Sequence, residues 1–233
     1  MKVTDLEIVY NSVKGPREEN QDAYCVVHEN DGIRLGVFDG LGGHANGRET
    51  AELVALVVGT VDACAEWEDV IHEANQQVKK MGERKGYTTV AGVRFREERN
   101  GTLFMELCNC GDSRVYLFRD NEVHQLSKDH TTQAELMSYG VSEERALLNR
   151  KLTSCIGMEQ LELYLCEGEL EKGDLFLLAT DGVWELLEEK KEMDRIRRLR
   201  TAEEKAKYIQ SQMTFYRNEL EDNATYILAY LPE

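Results

Sequence analysis

The stretch RLGVFDGLGGH, residues 34–44, decides how this chain is read. Residues 34–38 have the apolar composition of a buried strand, and the run stops at a carboxylate, Asp39, followed by a glycine-rich turn. Ionised carboxylates at the mouths of buried strands are expensive, because low dielectric penalises the charge by several kcal/mol unless something neutralises it. The same placement recurs. Asp22 precedes the run AYCVV, Asp181 follows LFLLAT, and Asp222 precedes NATYIL. Repetition of this pattern implies strand ends that converge, with a cation neutralising them. Clustered oxygen ligands favour hard divalent ions such as Mg2+ or Mn2+ over zinc. On this reading the chain is a metal-carboxylate enzyme.

With 233 residues there is room for one large domain with a substantial core, and the expectation is a single domain over 1–233. No apolar run approaches the roughly 20 residues of a membrane span, and the N-terminal residues lack the apolar core of a secretory signal. A cytoplasmic protein with no membrane role is therefore expected. The 44 acidic against 28 basic residues give a formal charge of -16, which argues against nucleic acid as a partner. Most of that excess is expected on a solvated surface, with a minority at the metal site. Six cysteines include one close pair, Cys108 and Cys110, spaced as CxC rather than CxxC. That spacing argues for buried, reduced thiols and against zinc or disulfide chemistry.

Strand-like segments lie at 7–9, 23–28, 34–38, 88–96, 103–109, 115–119, 161–170, 175–179 and 224–231. The turns Arg99-Asn100-Gly101 and Asp120-Asn121 predict hairpins. Three helices are expected. One spans 46–61. A second carries Trp67, Val70, Ile71, Ala74, Val78 and Met81 on one face, and a third opens on the capping box Thr201-x-x-Glu204. Ala206, Ile209, Met213, Tyr216 and Leu220 then form its core stripe. Hairpin-paired strands with helices before and between them predict an α+β fold, two antiparallel sheets covered by helices on both outer faces. The polar segment at about 131–150 is expected to be a short surface flap.

Taken in order, RxxNQD (17–22), VFDGLGGH, Thr88-Thr89, NCGDSRVYLFRD, LSKDHT, LTSCIG, LLATDGVWE and DNATYILAYL resemble the metal-dependent protein phosphatase family, of the protein phosphatase 2C type. The likeness is to a compact bacterial-type member and runs from about Gly15 to Leu231. It implies a four-layer αββα sandwich with a binuclear Mn2+ or Mg2+ site at one end, and a weaker third ion. Asp39 would bridge both metals, and the Gly40 carbonyl would help hold one of them. Asp181 and Asp222 would complete the other ion's ligands, while Asp22 would lie in the outer shell. Asp112 would join Asp181 at the third ion. Two divalent ions on the order of 4 Å apart acidify a shared water that attacks a phosphoserine or phosphothreonine. Arg17 would clamp the phosphoryl oxygens bidentately. Phosphorylated proteins would be the substrates, and a serine/threonine kinase the opposing partner.

The residues themselves leave rivals. A catalytically weak phosphatase-like domain that binds phosphoproteins would be expected to lose one of Asp39, Asp181 and Asp222, and all three are present. A metal-dependent nuclease conflicts with the charge. Departures from the family pattern are Gln21, where many relatives have glutamate, and Leu41, where animal members have a histidine proposed as general acid. Leucine cannot donate a proton, and His44 is expected to serve its glycine-rich turn. Tyr87 precedes Thr88 where a small residue is common. Thr88 and Thr89 are expected to pack beside the site, and His130 to hold a loop by hydrogen bonding.

Overall fold

The computed structural model describes residues 2–232 apart from 30–31, 42–45, 63–64, 99, 147–149, 190 and 217–219. Ten strands form two five-stranded sheets, antiparallel throughout. The first sheet has the order β1 (Glu7–Val13), β10 (Ala224–Tyr230), β9 (Leu175–Ala179), β6 (Arg114–Arg119), β7 (Glu122–Gln125). The second has the order β2 (Ala23–His28), β3 (Gly32–Phe38), β4 (Val90–Glu97), β5 (Leu103–Cys110), β8 (Tyr164–Glu169). Burial follows from these positions. The strand β3, second in its sheet and covered on both faces, is buried at every residue, whereas the outer strand β8 alternates.

Three apolar clusters define the layers. Leu35, Val37, Val93, Phe95, Leu107, Phe176, Leu178 and Ile227 fill the space between the sheets. Outside the second sheet lie α1 (Gly47–Thr60) and α2 (Trp67–Lys80), packed through Val54, Val58, Trp67, Ile71 and Ala74. Outside the first sheet, α5 (Asp181–Glu189), α6 (Met193–Arg198) and α7 (Ala202–Phe215) contribute Trp184, Leu187, Ile196, Ile209 and Met213. Helix, sheet, sheet, helix is the expected four-layer order.

Local chemistry explains the element ends. At the start of α7, Thr201 Oγ1 accepts the Glu204 N–H at 3.1 Å, and the Glu204 carboxylate takes the Thr201 N–H, closing the expected capping box. Asp120 and Asn121 both adopt positive φ, 50° and 64°, which gives a two-residue hairpin the twist its flanking strands require. The hairpin's second arm, β7, was not anticipated, being short and carrying only Val123 as an apolar residue. Helices α5 and α6 were also unforeseen. The first starts at Asp181 itself, and the second, MDRIRR, buries only Ile196. Residues 161–163, expected as strand, precede β8, and the strand after Thr88-Thr89 begins at Val90. The segment expected as a flap holds two short helices, α3 (Thr132–Ser138) and α4 (Glu143–Ala146).

Arg34, on the most buried strand, is 1% exposed. Its guanidinium pairs with Glu29 at 2.8 Å and donates to the Val58 carbonyl at 3.1 Å and the Asp62 carbonyl at 3.2 Å, at the end of α1. Arg94 reaches the same Glu29 at 3.3 Å. A buried charge is tolerated here because its donors find acceptors.

Candidate metal centre

Strand pairing brings the aspartates to one end. Ala23 pairs with Phe38, so Asp22 and Asp39 are neighbours at the open end of the β2–β3 hairpin, opposite its connecting loop. Tyr226 pairs with Ala179 in the other sheet, which sets Asp181 beside the start of β10 and close to Asp222. Asp112 sits in the turn between β5 and β6, at the same end. Side-chain hydrogen bonds cross between the two sheets there. The Thr180 hydroxyl donates to Asp22 Oδ2 at 2.9 Å and accepts the Thr225 N–H at 3.0 Å.

The turns that carry Asp39 and Asp112 are held by hydrogen bonds to their peptide groups. Asp39 N–H donates to Thr89 Oγ1 at 3.0 Å, its carbonyl accepts the Thr89 N–H at 2.9 Å, and Thr89 Oγ1 lies 2.7 Å from Ser113 Oγ. Thr88 bridges Gly40 on one side and Ile156 on the other. The threonine pair thus holds the Asp39 turn by hydrogen bonds, a stronger role than the packing expected of it. At Gly40 a Cβ would meet the Gln21 carbonyl at 2.5 Å and the Gly47 carbonyl at 2.6 Å, so only glycine fits. The Asp112 carbonyl accepts the Trp184 indole N–H at 3.0 Å. His130 clasps the same turn: its Nδ1 accepts the Gly111 N–H at 3.2 Å, and its own N–H donates to the Gly111 carbonyl at 2.9 Å.

Charge crowding follows from this packing. Burial, then the charges of Asp181, Asp22, Asp112 and Asp222, push the Asp39 carboxyl well above the usual carboxylate range. Burial and the same neighbours, with Glu185, do likewise to Asp181. Asp22 is pushed up to about 7 by burial, against the opposing hydrogen bonds from Thr225 and Thr180. Asp112 rises to about 6 through burial and the nearby Asp129. Asp181 Oδ1 is buried without a hydrogen-bond partner. Buried polar atoms nearly always have partners, and an acceptor-only set of this kind suits a hard cation. Among the described residues, no three His, Cys, Asp or Glu side chains are yet grouped closely enough to cage an ion. At one corner Arg17 occupies both oxygens of Asp222, with Nε to Oδ1 at 2.9 Å and Nη2 to Oδ2 at 2.6 Å. Arg17 stands at the site but holds a carboxylate, where the sequence reading gave it a phosphate.

The two departures from the family pattern lie at the same turn. The Gln21 side chain turns to Glu19 at 2.7 Å. Leu41 contributes its N–H to the Tyr87 carbonyl at 3.0 Å and no proton-bearing group. His44 lies outside the described residues. Sequence reasoning missed Thr180, Ser113 and Asn223. The last, 4% exposed, accepts the Gln21 N–H at 2.8 Å and donates to the Lys14 and Glu19 carbonyls at 2.7 and 2.9 Å, pinning the loop that carries Arg17. Its signal was available: a polar residue between Asp222 and a strand start has to satisfy something.

The sequence profile of the family described as Stage II sporulation protein E (SpoIIE) matches residues 29–231. The chain belongs to this family, a domain of the metal-dependent PPM phosphatase type. It is 26% identical to the serine/threonine phosphatase stp of Listeria welshimeri, over 91% of this chain and 90% of that one. It is 27% identical to the protein phosphatase PhpP of Streptococcus pneumoniae, over 78% of this chain and 80% of that one. The fold superposes on the Streptococcus agalactiae serine/threonine phosphatase with a TM-score of 0.84, at 24% identity, covering 97% and 99% of the two chains. The catalytic domain of the phosphatase PstP, solved with two manganese ions, gives a TM-score of 0.76 at 24% identity over 98% and 99%.

Proposed function

We propose that the chain is a metal-dependent serine/threonine protein phosphatase, acting on phosphoserine or phosphothreonine in proteins and opposing a serine/threonine kinase. The observation that carries this reading is the crowding of Asp39, Asp181, Asp22 and Asp112 around one another, with Asp181 Oδ1 buried and unpartnered. Family membership and the names of the curated relatives support it, and do not favour a binding-only module.

Two divalent ions, Mn2+ or Mg2+, would be held by Asp39, the Gly40 carbonyl, Asp181 and Asp222, with Asp22 in the outer shell and Asp112 with Asp181 at a weaker third. When bound, they supply an acidified water and positive charge for the phosphoryl oxygens. The chain's own residues do the rest. Thr89 and Ser113 fix the Asp39 turn, and Thr180 keeps Asp22 aimed across the sheets. Arg17, once it leaves Asp222, has the planar fork that grips two phosphate oxygens. Leu41 cannot protonate the departing serine oxygen, so that proton comes from water. The short helices of the 131–150 segment would form the flap that meets the protein substrate.

Mn2+-dependent hydrolysis of p-nitrophenyl phosphate, abolished by EDTA, is the direct test. Full turnover in Asp39→Asn, or no calorimetric Mn2+ binding by the unaltered protein, would overturn the assignment.

A further inference from the structure

Tyr10 and Tyr24 belong to different sheets, yet their ring centroids stand 4.9 Å apart at an interplanar angle of 40°. Tyr10 lies on β1 and Tyr24 on β2, each the outermost strand of its sheet, on one flank of the sandwich. The rings remain 47% and 40% exposed. Neither ring belongs to the inter-sheet cluster, against which Ile8 and Val26, two residues further along the same strand faces, are packed. Two residues from Tyr10 comes Ser12, and two from Tyr24 comes Asp22, each on the same strand face and towards the carboxylate end. A groove of about 550 Å3 runs along this flank, bordered by those four residues with Arg48 and Glu52 of α1.

The charge of the groove is negative. Arg48 Nε is bound to Glu52 at 2.9 Å, and Glu19 and Glu49 also act on the Arg48 guanidinium. One cation thus stands against three glutamates, of which Glu52 lines the groove itself. Exposed tyrosine faces attract cations, most of all guanidinium groups. Two strand residues span roughly 7 Å, so the tyrosine pair lies two to three extended residues from the candidate reaction centre.

We propose that this groove is the docking channel for the phosphoprotein substrate, receiving an extended segment. The channel seats an arginine or lysine, two or three residues from the phosphorylated one, against Tyr10 and Tyr24, with Glu52 supplying countercharge. This inference rests on the phosphatase reading and adds a specificity to it.

The test uses phosphothreonine peptides that differ only in Arg, Ala or Glu at positions two and three residues to either side. Each kcat/KM is divided by the turnover of p-nitrophenyl phosphate by the same preparation, which removes any general loss of folding or metal. At one or more of those positions, arginine is expected to be preferred over glutamate by about tenfold, through KM, as a desolvated cation–π contact with a nearby carboxylate would give. Tyr24→Ser and Glu52→Gln should each shrink that preference to about twofold, and Tyr24→Phe should keep it, because the ring face does the work. No preference in the unaltered protein, or an undiminished one in both variants, overturns the groove. Absence of Mn2+-dependent p-nitrophenyl phosphate turnover in the unaltered protein overturns the phosphatase reading instead. The groove is then judged on peptide binding by fluorescence anisotropy, with the same order of preference expected and its absence fatal.

Discussion

Arg17 and Asp222 form a two-pronged ion pair, 2.9 and 2.6 Å at its two contacts, across 205 residues of sequence. The pair joins the proposed phosphate-gripping residue to a proposed metal ligand, so the two functions compete for the same atoms. On the proposed reading, a cation that takes the Asp222 oxygens would detach Arg17 and leave its guanidinium for the phosphoryl group. Arg17→Ala should therefore raise KM for p-nitrophenyl phosphate roughly tenfold, as loss of a bidentate charged contact would. Calorimetry should show Mn2+ binding at least as tightly as before. Weaker Mn2+ binding in this variant would contradict the competition.

Asp39 is strained by its neighbours in the absence of cations. Asp39→Asn should lower kcat by at least about a hundredfold, given the part metal-held water and charge play in phosphoryl transfer. In EDTA at pH 8 the same variant should melt at a higher temperature than the unaltered protein. Activity and stability moving in opposite directions separates a crowded functional carboxylate from an ordinary turn residue.

The carboxyls of Asp22 and Asp112 keep their protons to about pH 7 and 6 in the fold, whereas in an unfolded chain they ionise near pH 4. Between those limits the folded state binds more protons than the unfolded one, so stability falls as pH rises. In EDTA, Tm should decline from pH 5 to pH 8. With Mn2+ present the ionised forms are the ones that bind, and Tm should hold or rise over the same range. Differential scanning fluorimetry at fixed ionic strength distinguishes the two slopes.

Thr180→Val keeps the shape of the side chain and removes the hydroxyl that serves Asp22 and Thr225 at once. Leaving those partners unsatisfied should cost about 1–3 kcal/mol in urea unfolding.

Glu29→Ala removes the carboxylate shared by Arg34 and Arg94, leaving Arg34 its carbonyl acceptors and Arg94 its contact with Glu106 at 3.4 Å. Breaking such a buried pair by removing one member costs about 3–5 kcal/mol. The double variant Glu29→Ala, Arg34→Met should recover part of that loss, and equal stability of single and double variants would show that Arg34 does not depend on Glu29.

Much of the architecture was legible because burial on both faces leaves a plain signature, as in the uninterrupted apolar residues of β9 and the run LGVF that closes β3. The capping box at Thr201 and the Asp120-Asn121 turn are equally local, fixed by residues adjacent in sequence. Part of what escaped was set by distant contacts. Helix α5 packs Val183, Trp184, Leu186 and Leu187 against β10, more than thirty residues on, while β7 escaped for a local reason, having one apolar residue in four. At the site, the aspartates were legible as strand-end carboxylates. The grip of Arg17 on Asp222 was not, since the sequence shows two suitable charges but never which acceptor a guanidinium will choose.

The pairing of β1 with β10 places Glu7 opposite Tyr230, at the pole away from the aspartates, while Val13 and Ala224 meet at the pole that carries them. Polypeptide attached before β1 or after β10 would thus leave from the rear. A fluorescent reporter at either position would spare the substrate entrance, and a short bridge between the two strands would let the chain be reopened at a surface turn.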